Sequence, residues 1–552
     1  MSKKILSIIL LAALMFGALG GCGSTVANEP PSVTPPAGGQ TETAPPAGGS
    51  AEATPAPDSG QPQSGGVLKL SLPASPRYLD PIQYTGTYES QIIRSVCDTL
   101  VDYKMDLSGI KPNLASEWAI SEDGLEYTFK LRQDIYFHPG QYQDGRQLTA
   151  EDIKYSLERS ARESSLNRLD MLDYCEVLGD FEVKCVLTGP NAVFLTALTD
   201  AGNSIVPREE VEGWGDDFGA HLVGSGPFIL KEFKLDQEAV TVRNDKYWAA
   251  TPYLDGVTFM YINDHAQAAN ALKTGALNLA TSLQGEAVQI VRDDPNLVLD
   301  ETAGLHIAYL YMNQVNGPTA DKKVRDAITM AIDREDLVAG VYPYGEAQIA
   351  SVPLPPGSWG YDKSLESEAL PYDPERAKAL LTEAGYPDGL SLKLYISNTA
   401  FRIKMATIVQ QYVKQNLNID VEIIPSEWGT FSEIASSGNA DIYGMSWTWY
   451  PDPFFFLNKI FYSGEIGALG NGAGFKNAEV DKLLEDALIE TDQAKRADMY
   501  KRVLKIVMDE NPIFIYGNEN VTDGSTANVH GYIQRADNVI VLVSDEVNVW
   551  LS

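Results

Sequence analysis

The sequence predicts an α/β protein of two or three domains behind a long polar leader, and three observations lead there. Beyond the leader about 490 residues remain, more than one hydrophobic core holds. Runs with strand alternation are interleaved with runs at helical spacing. The hydrophobic content is 44%, as in a globular chain, and no apolar run after the N-terminus approaches membrane length.

The N-terminal elements concern location. Lys3 and Lys4 precede an apolar run, Ile5 to Leu19, of about 15 residues, where a bilayer span needs roughly 20. Leu19-Gly20-Gly21-Cys22 has the form of a lipobox, so residues 1–21 read as a lipoprotein signal peptide and Cys22 as the acylated start of the mature chain. An ordinary secretory cleavage site and an uncleaved single-span anchor are the alternatives. Residues 22–65 are rich in Pro, Gly, Thr and Ser, with PPAGG at Pro35–Gly39 and again at Pro45–Gly49. They bury too little apolar surface to offset ordering entropy and are expected to form a disordered linker reaching roughly 35–40 Å.

The globular elements follow. Val67 to Leu72 is a short apolar strand, and Glu126 to Leu131 alternates as a half-buried strand after a turn at Gly124. Thr149 and Asp152 form a capping box ahead of Ile153 and Leu157. Glu176 to Leu187 reads as a hairpin turning at Leu178-Gly179-Asp180, and Val240 to Trp248 as a strand. Ala266 opens a helix closed by Gly275 and followed by a strand. Lys323 to Arg334 reads as one helix with Val324, Ala327, Ile328 and Ala331 on a single face. Further helices start after Asp373-Pro374 and after Asn477.

A formal charge of −33 argues against nucleic acid and against unaided binding to anionic lipid. With Cys22 acylated, Cys97, Cys175 and Cys185 remain. Cys175 and Cys185 flank the hairpin turn, so they either pair as a disulfide or stay as buried thiols. Five scattered histidines, with no metal-binding spacing, argue against a structural zinc site. No cofactor is expected.

Between Ile110 and Arg159 the order "P-x-LA-x-x-W-x-x-S-x-DG-x-x-YTF-x-LR", then "FH", "DG" and "TAED", resembles the family 5 solute-binding proteins of ABC importers, the oligopeptide-, dipeptide- and nickel-binding group. Leu79-Asp80-Pro81, the Val223–Phe228 run VGSGPF and the later helical words extend the resemblance from about Leu68 to Tyr532. It implies a two-lobed, periplasmic-binding-protein-like α/β fold (type II, cluster C) with a hinge and an inserted β-rich third domain. On that reading residues 66–105, 207–303 and 520–552 form the first lobe, 106–206 the insert and 304–519 the second lobe. Hinge crossings are expected near Gly304–Tyr309 and Ile515–Thr522.

The resemblance further implies a monomer at the outer face of the bacterial cell membrane, where the lipobox cysteine would anchor it. It would bind a peptide or other small solute and serve ABC permease subunits and, through them, their ATPases. Capture rather than catalysis is expected. The alternative cargoes are an oligosaccharide or other uncharged organic solute, or a nickel chelate. A secreted hydrolase, with Ser225 of Gly224-Ser225-Gly226-Pro227 as nucleophile, is the remote alternative, since GxSxG and metalloprotease motifs are missing.

Candidate ligand-binding residues are concentrated in Met445 to Phe456, MSWTWYPDPFFF. Trp447, Trp449 and Tyr450 offer aromatic faces to a cleft, while Phe455 and Phe456 read as core. Asp452 either binds ligand or caps a helix starting at Pro453. Family words also bring Tyr84, Thr85, Ser282, Leu283, Asn313 and Trp428 near a cleft. Anchored on Asp452-Pro453, Trp449 falls where peptide-binding members carry the aspartate for the ligand's amino terminus. Indole returns only about 0.5–2 kcal/mol to an ammonium. Trp449→Asp is therefore expected to raise affinity for free-amino peptides relative to N-acetylated ones, measured by isothermal titration. A wild type that already prefers free-amino peptides strongly would contradict that placement.

Overall fold

The structure, a computed structural model, describes residues 61–552 except Ser165, Thr448 and Trp449. The signal peptide, Cys22 and all but the end of the linker lie outside the described residues. Among the described residues no helix is long and apolar enough to cross a membrane.

One sheet of 11 strands runs through both halves of the molecule. Its centre is a pair of long antiparallel strands, Leu297–Met312 and Ile513–Thr526, paired from Leu297 opposite Thr526 to Tyr311 opposite Ile513. On one side the sheet continues through Ile442–Trp447 and Ser391–Ser397 to Asp420–Ser426. On the other it passes through Leu279–Ala280, Val67–Leu72 and Gly256–Tyr261, then Glu238–Arg243 and Phe228–Lys234, while Ala347–Ile349 pairs with Ile513–Thr526 outside this path. The long strands break register between Ala303 and His306 and again between Ala308 and Tyr309, inside the stretches expected to cross between lobes. Asn518 bridges the first break, its amide donating to the carbonyls of Gly304 (2.8 Å) and His306 (3.1 Å).

Side-chain alternation sends Ile307, Tyr309 and Tyr311 into one core and Ala308, Leu310 and Met312 into another on the opposite face. A third core gathers Leu68, Leu70, Phe228, Val257, Phe259 and Val549. A separate antiparallel sheet runs Ala115–Ile120, Glu126–Leu131, Glu182–Leu187, Leu172–Gly179. It packs with the helix Ala150–Glu163 around Tyr127, Phe129, Ile153, Leu157 and Phe194. This is the two-lobed α/β arrangement with a further β-rich unit that the sequence led us to expect.

Local expectations hold where the determining residues are close in sequence. The Thr149–Asp152 capping box is present, with Thr149 N donating to Asp152 at 2.9 Å. Asp373 and Asn477 cap their helices as expected. The helix expected over Lys323–Arg334 divides, however, into Lys322–Met330 and Arg334–Val341. Asp333 accepts from the amides of Glu335 and Asp336, and this cap starts a new helix where the apolar spacing alone would continue the old one. The strand expected over Val240–Trp248 ends at Arg243, because Asn244 turns the chain, its side chain accepting from Lys246 N and donating to Gly226 O.

Asp80 of the LDP word and Arg159 of the Ala150–Glu163 helix form a bidentate pair at 2.6 and 2.9 Å, with side chains 5% and 9% exposed. Removing one partner of such a pair strands a buried charge. Arg159→Met should lower stability by about 3–5 kcal/mol, read as a lower urea midpoint. The double variant Arg159→Met, Asp80→Leu should recover most of that loss. No recovery in the double variant would contradict the assignment of the cost to the unpaired carboxylate.

Candidate functional site

A cavity of about 430 Å³ has walls from separated parts of the chain: Tyr84–Arg94, Tyr103, Leu166–Met171, Ala197–Ala201, Tyr450–Phe455 and Asp537–Val539. A larger groove of about 850 Å³ lies between the Ala400–Leu417 helix and the neighbouring strands Ser391–Ser397 and Asp420–Ser426. The groove is bounded almost wholly by contiguous elements of one edge of the sheet. The smaller cavity is walled by elements distant in sequence, and we take it as the candidate.

Each wall is held by a local device. The Asp80–Arg159 pair fixes the turn in which Gln83 N and Tyr84 N donate to Asp80 O at 2.9 and 3.3 Å, and this turn presents Tyr84. Asp200 caps the short 3₁₀ turn Ala201–Asn203, and Asn203 ties that turn to Ser160 of the helix and to Ala197 O, each at 2.6 Å. Asp452 caps the Pro453–Phe461 helix, with Pro453 in its first turn, and so sets the approach of Tyr450 and Pro451.

The polar centre of the cavity wall is the Asp200 carboxylate. Its Oδ1 accepts from the Tyr84 hydroxyl at 2.6 Å and from Gly202 N at 2.7 Å, and lies 2.9 Å from Arg168 Nε. Its Oδ2 accepts from the Tyr450 hydroxyl at 2.7 Å. The Arg168 side chain is only 4% exposed. Its guanidinium carbon lies 4.0 Å from the Tyr84 ring centroid, and Nη2 donates to Tyr84 O at 2.7 Å. A β-carbon on Gly202 would come within 2.4 Å of Arg168 Cδ, so glycine there makes room for the arginine. Burial, with Asp200 beside it, raises the Tyr84 hydroxyl far above the ordinary tyrosine value and keeps it a donor. Arg94 donates to Thr199 O and faces Asp102 at 3.5 Å.

Of the sequence-predicted residues, Tyr84, Thr85 and Tyr450 come together in this wall. Phe455 joins them, although its sequence context reads as core; its ring centroid is 4.6 Å from that of Tyr450. Trp449 lies outside the described residues. Trp447 ends the Ile442–Trp447 strand, half-buried against the core that contains Phe456.

The other candidates lie elsewhere. Asp452 is 2% exposed, accepts from Phe454 N at 2.9 Å and pairs with Arg496 at 2.9 Å, so the capping reading describes it. Ser282 donates its N–H to Asp523 at 2.9 Å, and Leu283 is buried among Leu272, Ala287 and Val288. Asn313 donates to the carbonyls of Gly438 and Ala440 and accepts from the amides of Val315 and Asn316, holding a turn. Trp428 is 53% exposed at the start of its helix. Sequence reasoning missed Arg94, Arg168, Asp200 and Asp537, which sit in no recognisable motif.

Ser225 occupies no exposed elbow. It is 1% exposed and its hydroxyl donates to Asp98 Oδ2 at 2.8 Å, where Gly224 and Gly226 pass close to the backbone of Val96 and Cys97. Burial pushes Asp98 up to about 6, while Ser225, Trp248 and Tyr247 donate to it. Burial also pushes nearby His138 down to about 4, and its Nε2 lies 2.8 Å from Gly226 O. These contacts hold a crossing of two chain segments.

Residues 109–468 match the family described as bacterial extracellular solute-binding proteins, family 5. Heme-binding protein A of Haemophilus influenzae is 29% identical over 478 residues, covering 81% of this chain and 86% of that protein. Di/tripeptide-binding protein 2 of Pseudomonas aeruginosa is 28% identical over 492 residues, covering 84% and 92%. Among solved structures, HbpA2 from Haemophilus parasuis aligns with a TM-score of 0.82 at 25% identity, over 88% of this chain and 100% of that one. DppA from Helicobacter pylori, in complex with the peptide STSA, aligns with a TM-score of 0.70 at 28% identity, over 89% and 98%. With a match across most of its globular part and relatives along nearly all of it, the chain belongs to the family 5 bacterial extracellular solute-binding proteins.

Proposed function

We propose that this chain is the extracytoplasmic, lipid-anchored solute-binding component of an ABC importer. Its cargo on this reading is an oligopeptide, held in the cavity beside Asp200 and passed to the membrane permease. The observation that carries the proposal is the meeting of Tyr84, Arg168 and Tyr450 on one carboxylate, with Tyr450 and Asp200 250 residues apart in sequence. A site assembled from such distant segments can open and shut as they move, and a solute that binds the shut form better shifts the population toward it. The aromatic faces of Tyr84, Tyr450 and Phe455 suit peptide planes of varied sequence. Relatives named for di- and tripeptides and a fold neighbour bound to a peptide support that cargo. Capture rather than turnover fits the buried, structural contacts of Ser225. The anchor rests on Leu19-Gly20-Gly21-Cys22 and the linker behind it.

One observation favours an uncharged solute as the second reading. Asp200 is already paired with Arg168, and Asp537 with Arg535 at 2.6 Å, so an incoming ammonium would compete with guanidinium groups in place. Mass spectrometry of whatever co-purifies with the full chain separates the readings. A mixture of short peptides is expected. An oligosaccharide or another uncharged organic solute would overturn the peptide cargo and leave the importer role standing.

A further inference from the structure

We infer that Cys175 and Cys185 form a cross-strand disulfide that staples the sheet behind the cavity wall, an inference resting on the extracytoplasmic location proposed above. The two residues stand directly opposite in the hairpin of Leu172–Gly179 and Glu182–Leu187. Their sulfur atoms are 3.2 Å apart, and the residues are 1% and 0% exposed.

Whether such a pair can bond depends on the kind of cross-strand position it occupies. Cys175 N donates to Glu158 Oε1 at 3.0 Å, and Cys175 O accepts from Lys154 Nζ, both on the Ala150–Glu163 helix. Its main-chain groups therefore point away from the partner strand. The pair is of the non-hydrogen-bonded type, in which Cα atoms come to about 4.5 Å. Disulfides span Cα separations of about 4.4–6.8 Å, so this position accepts one at the short end of the range. Register breaks between Leu172 and Tyr174 and between Val177 and Gly179 flank the pair, so the strand can adjust on both sides.

The oxidant is an external disulfide, either a small molecule or that of a thiol–disulfide oxidoreductase. One cysteine thiolate attacks it, forming a mixed disulfide and releasing one thiol. The second thiolate then attacks the cysteine sulfur of that mixed disulfide and releases the other thiol. The two cysteine hydrogens leave as protons, and the external disulfide is reduced to two thiols. The hydrogen bond with Cys175 and burial raise the Cys185 thiol well above its ordinary value, so exchange belongs to the forming or opening hairpin rather than the packed sheet. Cys97 is buried in a different core and, among the described residues, faces no other cysteine, so it is expected to stay a thiol.

The staple lies next to the site. The strand carrying Cys175 begins at Leu172, directly after the cavity-wall residues Arg168, Asp170 and Met171. Tying this edge strand to its neighbour limits how far the wall can move.

The test uses the full chain, expressed with its own leader, recovered from the cell envelope under acid quench, denatured and alkylated without reductant, followed by peptide mass mapping. The expected result is an alkylated Cys97 and a cross-linked peptide pair joining Cys175 to Cys185, about 2 Da lighter than the two thiols. Recovery of Cys175 and Cys185 as separate alkylated thiols would overturn the inference. As a second readout, reductant should lower the melting temperature of wild type and of Cys97→Ser. It should leave the double variant Cys175→Ser, Cys185→Ser unchanged; equal sensitivity of all three would also overturn it. Neither readout involves a solute, so the disulfide can fail while the solute-binding role stands, and the reverse.

Discussion

The pairing of Leu297–Met312 with Ile513–Thr526 is the constraint on which the rest of the molecule depends. Backbone hydrogen bonds need partners, and here two long strands supply them to each other across the whole molecule. Because they alternate faces, they also divide the apolar side chains of one half between two cores. The register breaks at Ala303–His306 and Ala308–Tyr309 are the places where this ladder is weakest. A sheet continuous in hydrogen bonding yet interrupted at two points keeps the halves together while leaving positions where they can bend.

The cavity depends on a second, more local constraint. Asp200 and Arg168 are charges that could not be held at so little exposure unless each satisfied the other. Once they are paired, Tyr84 stacks on the guanidinium and donates to the carboxylate, and Tyr450 reaches the remaining oxygen. The Asp80–Arg159 pair acts upstream by setting the turn that carries Tyr84. Two buried ion pairs thus fix side chains that apolar packing alone would leave loosely oriented. Tyr450 is the component contributed by the segment after Ile442–Trp447, and its bond to Asp200 ties that segment to the cavity wall.

The sequence made legible what neighbouring residues decide. The Thr149 and Asp152 cap, the Asp373-Pro374 helix start and the strand Glu126–Leu131 each depend on side chains a few positions apart. The divided helix at Asp333 shows the limit of apolar spacing, since one cap outweighs a continuous stripe. Tyr84 and Tyr450, which line the cavity, sit beside recognisable words. Arg168 and Asp200 do not; their meaning lies in pairing with each other and with residues 116 and 250 positions from Asp200. Asn313, Leu283 and Asp452 show the reverse: familiar surroundings in sequence, with side chains engaged in a turn, a core and a helix cap.

A crystal structure of the protein carrying its co-purified solute shows directly where the solute is held. Ligand density is expected in the cavity bounded by Tyr84, Arg168, Asp200, Tyr450 and Phe455, with the Tyr450–Asp200 contact retained or exchanged for a contact to the solute. Density instead in the groove lined by Lys393, Gln410, Lys414 and Asp441, with the Asp200 cavity empty, would contradict that placement.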